Sequence, residues 1–257
     1  MGALHEGHLS LIRQAKRCSD VVVVSIYVNP TQFVPGEDLD SYPRPLESDL
    51  SACESLGTDV VFVPDDREIY GDHPLTTVTV SELTESLCGP HRPGHFQGVT
   101  TVVANLFNIV QPDVALFGQK DAQQAVVIRK MTADLNFPVE IIVCPTVREP
   151  DGLAMSSRNA YLSEAERKQA TVLYEALQAG RRMIVDEGQR DPRRVVETMK
   201  KLVRNSGPCR IDYVEIRDAE WLIEMDRVSG RVLLALAVQI GQARLIDNLV
   251  VDVPSEE

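Results

Sequence analysis

The run Asp20-Val21-Val22-Val23-Val24-Ser25-Ile26-Tyr27-Val28 is almost continuously β-branched. It constrains the fold more than any other feature of the chain. Such a run reads as a strand buried on both faces, the habit of parallel sheets. A helical apolar pattern over 9–17 precedes it, and Asn29-Pro30-Thr31-Gln32-Phe33 breaks it at its carboxyl end. The alternation continues with a helix over 46–56, a strand over 60–64, an extended piece over 77–80 and a helix over 99–110. A strand ending in Gly118, a helix over 122–135 and a strand over 139–144 follow. Strands alternating with helices specify an α/β architecture, a parallel sheet with right-handed crossovers. Ligands of such sheets bind beyond the carboxyl ends of the strands. That rule puts 29–33, 118–124 and the segment after Val147 on one rim.

From Ser163 the pattern changes. Ser163-Glu164-Ala165-Glu166 reads as a capping box and predicts one long helix through Ile184. Asp191-Pro192 opens a second helix with proline in its first turn. Three extended runs over 211–216, 231–239 and 243–249 come next. Two domains are expected, 1–147 and a smaller α+β unit over 148–257, with Ser255-Glu256-Glu257 as a fraying tail.

Charge and cysteine usage exclude whole classes. Of 257 residues, 26 are Lys or Arg and 38 are Asp or Glu, a formal charge of −12. The first 147 residues carry 9 basic against 19 acidic side chains, so a dedicated nucleic-acid partner, which needs a basic face, is not expected. Anionic ligands would be held by a few placed groups rather than by a broad field. Cys18, Cys53, Cys88, Cys144 and Cys209 are odd in number and form no C-x-x-C pair. They read as scattered core thiols of a cytoplasmic protein rather than a disulfide framework or zinc knuckle. No apolar run reaches the roughly 18 residues of a membrane span, so no membrane partner is expected.

Four segments carry chemistry. Met1-Gly2-Ala3-Leu4-His5-Glu6-Gly7-His8 leads directly into a helix. Two imidazoles three residues apart can face one ligand there, and a helix N-terminus suits phosphate. A zinc reading fails on spacing, because the metalloprotease signature is H-E-x-x-H; no metal-ligating set is expected. Gly118-Gln119-Lys120-Asp121 joins a strand to a helix, either as a phosphate contact with Asp121 as helix cap or ribose partner, or as a plain turn with a solvated lysine. It has neither P-loop nor G-x-G-x-x-G spacing. Met155-Ser156-Ser157-Arg158 supplies two hydroxyls and a guanidinium able to close over a triphosphate. Arg92-Pro93-Gly94-His95-Phe96-Gln97-Gly98 is either a mobile substrate loop or a structured turn.

Together, H-E-G-H, G-Q-K-D and M-S-S-R in this order resemble the pantothenate synthetase family, the pantoate–β-alanine ligases, within the nucleotidyl transferases with HIGH-like and KMSKS-like motifs. The resemblance spans essentially the whole chain and includes Val28-Asn29-Pro30-Thr31-Gln32-Phe33, Tyr42-Pro43-Arg44 and Ser157-Arg158-Asn159-Ala160-Tyr161-Leu162. It implies a Rossmann-like nucleotide-binding domain, a C-terminal lid domain, a homodimer, and ATP with Mg2+. The implied reaction joins pantoate to β-alanine through pantoyl adenylate. It implies that Met1, Gly2, Ala3, Leu4, His5, Glu6, Gly7 and His8 line the ATP site, with His8 in the position of a proton donor. It also implies that Gly118, Gln119, Lys120 and Asp121 hold ATP, that Val147 touches adenine, and that Met155, Ser156, Ser157 and Arg158 close over the triphosphate. Gln32 and Gln124 are the implied pantoate contacts, and Gln32 also borders β-alanine. His5, His8, Lys120, Ser157 and Arg158 are the implied catalytic set. In the family H-E-G-H follows a complete strand and a Pro-Thr dipeptide, so the first strand of the sheet is expected to be missing here. Two other readings compete: a nucleotidylyl transferase that stops after moving AMP, and a non-catalytic nucleotide-binding paralogue.

Overall fold

The computed structural model describes residues 1–254; the expected fraying at 255–257 lies outside the described residues. The first part holds α1 (Glu6–Cys18), β1 (Val23–Ser25), α2 (Leu46–Ser55), β2 (Val60–Phe62), α3 (Asp66–Tyr70), α4 (His95–Val110), β3 (Val114–Gly118), α5 (Ala122–Asp134) and β4 (Glu140–Cys144). Its strands are parallel, as the alternation predicts. They form two pairs, β1 with β2 and β3 with β4, and β1 and β3 are not hydrogen-bonded neighbours.

The β-branched run departs from its expected burial. Only Val23–Ser25 joins a ladder, and Val21 and Val23 are exposed while Val22, Val24 and Ile26 are buried. One face packs on Ile12 and Ala15 of α1 and the other faces outward, so this strand is half-buried. Beyond Ser25 the run stays extended but changes partners: Ile26 N–H donates to Phe62 and Tyr27 N–H donates to the Met1 carbonyl.

The second part contains α6 (Glu164–Ala170), α7 (Val172–Val185), α8 (Pro192–Asn205) and an antiparallel sheet of β5 (Arg210–Asp218), β6 (Arg231–Ile240) and β7 (Ala243–Asp252) in that order. Ser163 does form the capping box with Glu166. The single long helix is broken, however, at Thr171. Its hydroxyl donates back to the Lys168 carbonyl, a local bond that competes with the helical ladder.

β6 shows why the two parts form one body. Val232, Leu234, Leu236, Val238 and Ile240 point into the core made with α7 and α8. Leu233, Ala235 and Ala237 point the other way, onto Leu83, Leu87, Phe96, Ala122 and Val127 of the first part. The period of two along a central strand thus covers both faces. No helix of the described residues is long and apolar enough to cross a membrane, and all five cysteines are free thiols; Cys53, Cys88 and Cys144 are buried as expected, but Cys209 is half-buried and Cys18, at the end of α1, is exposed rather than in the core.

Candidate active site

His5 and His8 are tied together by the start of α1. His5 is its N-cap, with Nδ1 accepting the Gly7 N–H at 3.2 Å; His8 Nδ1 accepts the His5 N–H at 3.3 Å. This is a capping box built from two imidazoles. A neutral imidazole that accepts at Nδ1 carries its proton at Nε2. The ring centroids lie 4.1 Å apart. Burial, then the Lys120 charge, lowers the His5 pKa. Burial, followed by the charges of His5, the amino terminus and Lys120, brings His8 down to about 3. Near neutral pH the pair therefore presents two Nε2–H donors at the N-terminal end of a 13-residue helix.

The preceding backbone is held by a residue that the sequence pattern did not single out. Asp49, buried on α2, accepts the Ala3 N–H at 2.9 Å and the Leu4 N–H at 2.7 Å. Ala3 sits in the left-handed region at φ 50°, and the two bonds to Asp49 hold it there. A Cβ on Gly2 would come to 3.0 Å from Val28 Cγ2, and one on Gly7 would press on the His5 ring and lie 4.0 Å from Met155 Cβ. The first and third motifs therefore meet at Gly7. The Glu6 side chain turns instead to Arg13 at the surface.

Gln119, Lys120 and Asp121 form a 3-10 turn between β3 and α5. Asp121 occupies the N-cap position of α5 but makes no side-chain capping bond, so the expected cap is not formed. The Lys120 ammonium is 3.8 Å from Asp121, with the lysine side chain 22 % exposed. Gly118 is open where a Cβ would project. Gln124 lies on the first turn of α5, half-buried.

Lys120 and Asp121 share a cavity of about 970 Å3 with Ser156 and Arg158. His5, His8, Gln32 and Gln124 are not on its wall; the Lys120 charge links it to the histidine pair. Val147 and Met155 are joined by a bond from the Met155 N–H to the Val147 carbonyl at 3.0 Å.

Across the cavity an acidic loop engages the cations expected to meet phosphate. Arg158 forms a bidentate pair with Asp38, at 2.7 and 3.1 Å. Tyr42 Oη and Ser157 Oγ are 3.0 Å apart. Arg92 forms a second bidentate pair with Glu37, at 2.6 and 2.8 Å. Burial works to raise both carboxyls, but Arg92 and Arg158 override it and hold them below the ordinary range. Sequence reasoning missed Glu37 and Asp38, since isolated acidic residues in a loop carry no pattern.

The segment from Arg92 is a structured turn. Gly94, at φ 83°, is the N-cap of α4, and Arg92 reaches both His95 Nε2 and the Gln32 carbonyl. His95 Nδ1 is 2.7 Å from the same carbonyl. Gln32 is thus fixed from behind through its backbone. Asn29, buried beneath it, accepts from Thr31 and from Tyr70 Oη and donates to the Gly98 carbonyl.

β3 ends at a cleft holding a lysine and an arginine, with two imidazole donors near that lysine, an α/β arrangement whose charge suits an anionic ligand. Comparison with known proteins narrows this class. The family model for pantoate-beta-alanine ligase matches residues 1–250. The pantothenate synthetase of Moorella thermoacetica is 55% identical over 253 residues, covering 98% of this chain and 89% of that protein. That of Caldicellulosiruptor bescii is 53% identical over 252 residues, with 98% and 89% covered. The crystal structure of the Thermus thermophilus enzyme superimposes with a TM-score of 0.94 at 46% identity, over 97% of this chain and 90% of that one. A Francisella tularensis pantoate-beta-alanine ligase complexed with beta-gamma ATP and beta-alanine matches with a TM-score of 0.79 at 37% identity, over 97% and 87%. The chain belongs to the pantoate–β-alanine ligase family.

Proposed function

We infer that this chain condenses pantoate with β-alanine at the expense of ATP, through pantoyl adenylate. A pantoate carboxylate oxygen attacks the α-phosphorus and pyrophosphate leaves. The β-alanine amine then attacks the acyl carbon and AMP leaves with the bridging oxygen. The single observation that carries the reading is the paired Nε2–H donors of His5 and His8 with the Lys120 charge beside them.

Displacement at phosphorus is catalysed mostly by positioning and by stabilising charge. His5 and His8 donate hydrogen bonds to phosphate oxygens, with His8 in the position of the proton donor. Lys120 meets the phosphates, the backbone of 1–8 and 118–121 cradles ATP, Asp121 lies toward the ribose and Val147 toward adenine. Gln32 and Gln124 hold pantoate, and paired amides reject analogues that lack a hydroxyl. Met155, Ser156, Ser157 and Arg158 close over the triphosphate once Asp38 releases the guanidinium.

ATP enters as its magnesium complex. Magnesium would come bound to the ATP phosphates, where it keeps several waters and neutralises charge. We place the domain boundary at 147/148, where the Arg148–Ala154 bridge begins the second unit. A homodimer joined through 1–147 and a cytoplasmic location complete the reading, the latter supported by five unpaired thiols.

Pantoate labelled with 18O in its carboxylate tests the route. The expected result is one labelled oxygen in AMP. Label in inorganic phosphate would replace the adenylate with an acyl phosphate.

A further inference from the structure

Strand β7 of the second part reaches directly into the lysine turn of the first. Asn248, 4 % exposed, lies opposite Ala235 in the β6–β7 ladder. Its Nδ2 donates to the Gln119 carbonyl at 2.9 Å and to the Lys120 carbonyl at 2.9 Å. Its Oδ1 accepts from Gln119 Nε2 at 3.0 Å. Both N–H groups and the carbonyl of this amide are therefore committed to a single 3-10 turn.

The geometry points to Asn248 as a positioning residue for Lys120: it sets the backbone that aims the lysine at the phosphates. Asp121 makes no side-chain capping bond at the helix that follows, and among the described residues Asn248 is the side chain that binds the carbonyls of this turn. The anchor itself is fixed from behind. Arg148 pairs with the buried Asp247 at 2.6 and 2.9 Å and reaches the Asn248 carbonyl at 3.4 Å. Asp247 Oδ1 also accepts the Asn248 N–H at 2.7 Å. The strand cannot shift without breaking the charge-assisted Arg148–Asp247 pair, nor the turn without breaking its amide bonds to Asn248. Only an amide fits the demand for two donors and one acceptor at this position. Aspartate has no donor when ionised and would set a charge against two carbonyl oxygens. The antiparallel sheet thereby supplies part of the precision of the phosphate site while touching no phosphate.

This inference rests on the role assigned to Lys120 above, and a double-mutant cycle in the full chain separates the two. Pantoate-dependent pyrophosphate release would be followed in single turnover for Asn248→Ala, Lys120→Ala and the double variant, with MgATP and pantoate saturating. The same proteins would be given preformed pantoyl adenylate and β-alanine. A small misplacement of a charged group costs up to about 100-fold in rate. Asn248→Ala should slow adenylation about 10- to 100-fold with a smaller change in KM for ATP. Acyl transfer should stay within about twofold, and in the Lys120→Ala background the further loss should also be under about twofold. Equal losses in both backgrounds, or equal slowing of both half-reactions, would overturn the inference and leave the lysine reading intact. A fully active Lys120→Ala protein would sink the lysine reading itself, and this inference with it. Should Asn248→Ala not fold, Asn248→Ser keeps one donor and carries the same cycle, with about half the effect on a logarithmic scale expected.

Discussion

His8 shows how one side chain serves structure and chemistry together. Its Nδ1 closes the cap of α1, which leaves Nε2–H as the group offered to a ligand. Replacing it with alanine removes one preorganised donor, a loss worth about 10²–10³ in adenylation rate. Single-turnover pyrophosphate release measures this, and a rate within tenfold of wild type would contradict it. The same residue has a stability signature. Its pKa falls from 6.5 to about 3 on folding, so the unfolded chain takes up the proton first. Its contribution is complete above pH 6.5 and is lost progressively as the pH falls toward 3. Urea midpoints measured across that range should slope less steeply in His8→Ala. Asp38 gives the second prediction at this scale. Arg158 cannot meet a triphosphate while it forks onto Asp38. If the arginine is free in a tenth to a third of molecules, Asp38→Asn tightens ATP binding about three- to tenfold. Calorimetric titration with MgATP reads this directly; unchanged affinity would show that the pair does not compete.

At the scale of elements, α4 and the Asn29–Gln32 turn form a tight joint. A Cβ on Gly98 would fall on the Thr31 carbonyl, which is backbone and cannot swing aside. Gly98→Ala must therefore push away the turn that carries Gln32. Overpacking of this kind costs about 1–3 kcal/mol, and KM for pantoate should rise more than KM for ATP. A KM for pantoate unchanged from wild type would show that the turn accommodates the methyl group. The sequence made most of these elements legible. The boundaries of α5, β3 and β4 follow the apolar periods closely, because propensity, spacing and turn residues agree there. Misreadings arose where tertiary partners decided. The valine run looks fully buried because its composition is uniform, yet its ladder is only as long as β2 allows. The interruption at Thr171 is a single residue that keeps helical dihedrals, a detail invisible to helical periodicity. In the site, the short motifs announced His5, His8, Lys120 and Arg158. Asp49, Asp38 and Asn248 act across separations of 45 to 129 residues, and no local pattern marks them.

For the whole molecule, the decisive element is β6, buried on both faces by different parts of the chain. Two parts that share a strand's opposite faces should unfold together. Leu233→Ala removes a buried side chain from the shared layer and should cost about 2–5 kcal/mol, with both parts lost in one transition. Trp221 fluorescence reports the second part and far-ultraviolet dichroism the whole; separated midpoints would contradict a common core. This sharing also explains how Asn248 can steady the Lys120 turn, since β7 is docked on the first part by the same layer.

Two-step ligation at one site is tested by pyrophosphate release from MgATP. Release should require D-pantoate, with AMP and pantothenate appearing only when β-alanine is added. Pyrophosphate release without pantoate, or AMP formed from pantoate and ATP alone with no need of an amine, would contradict it.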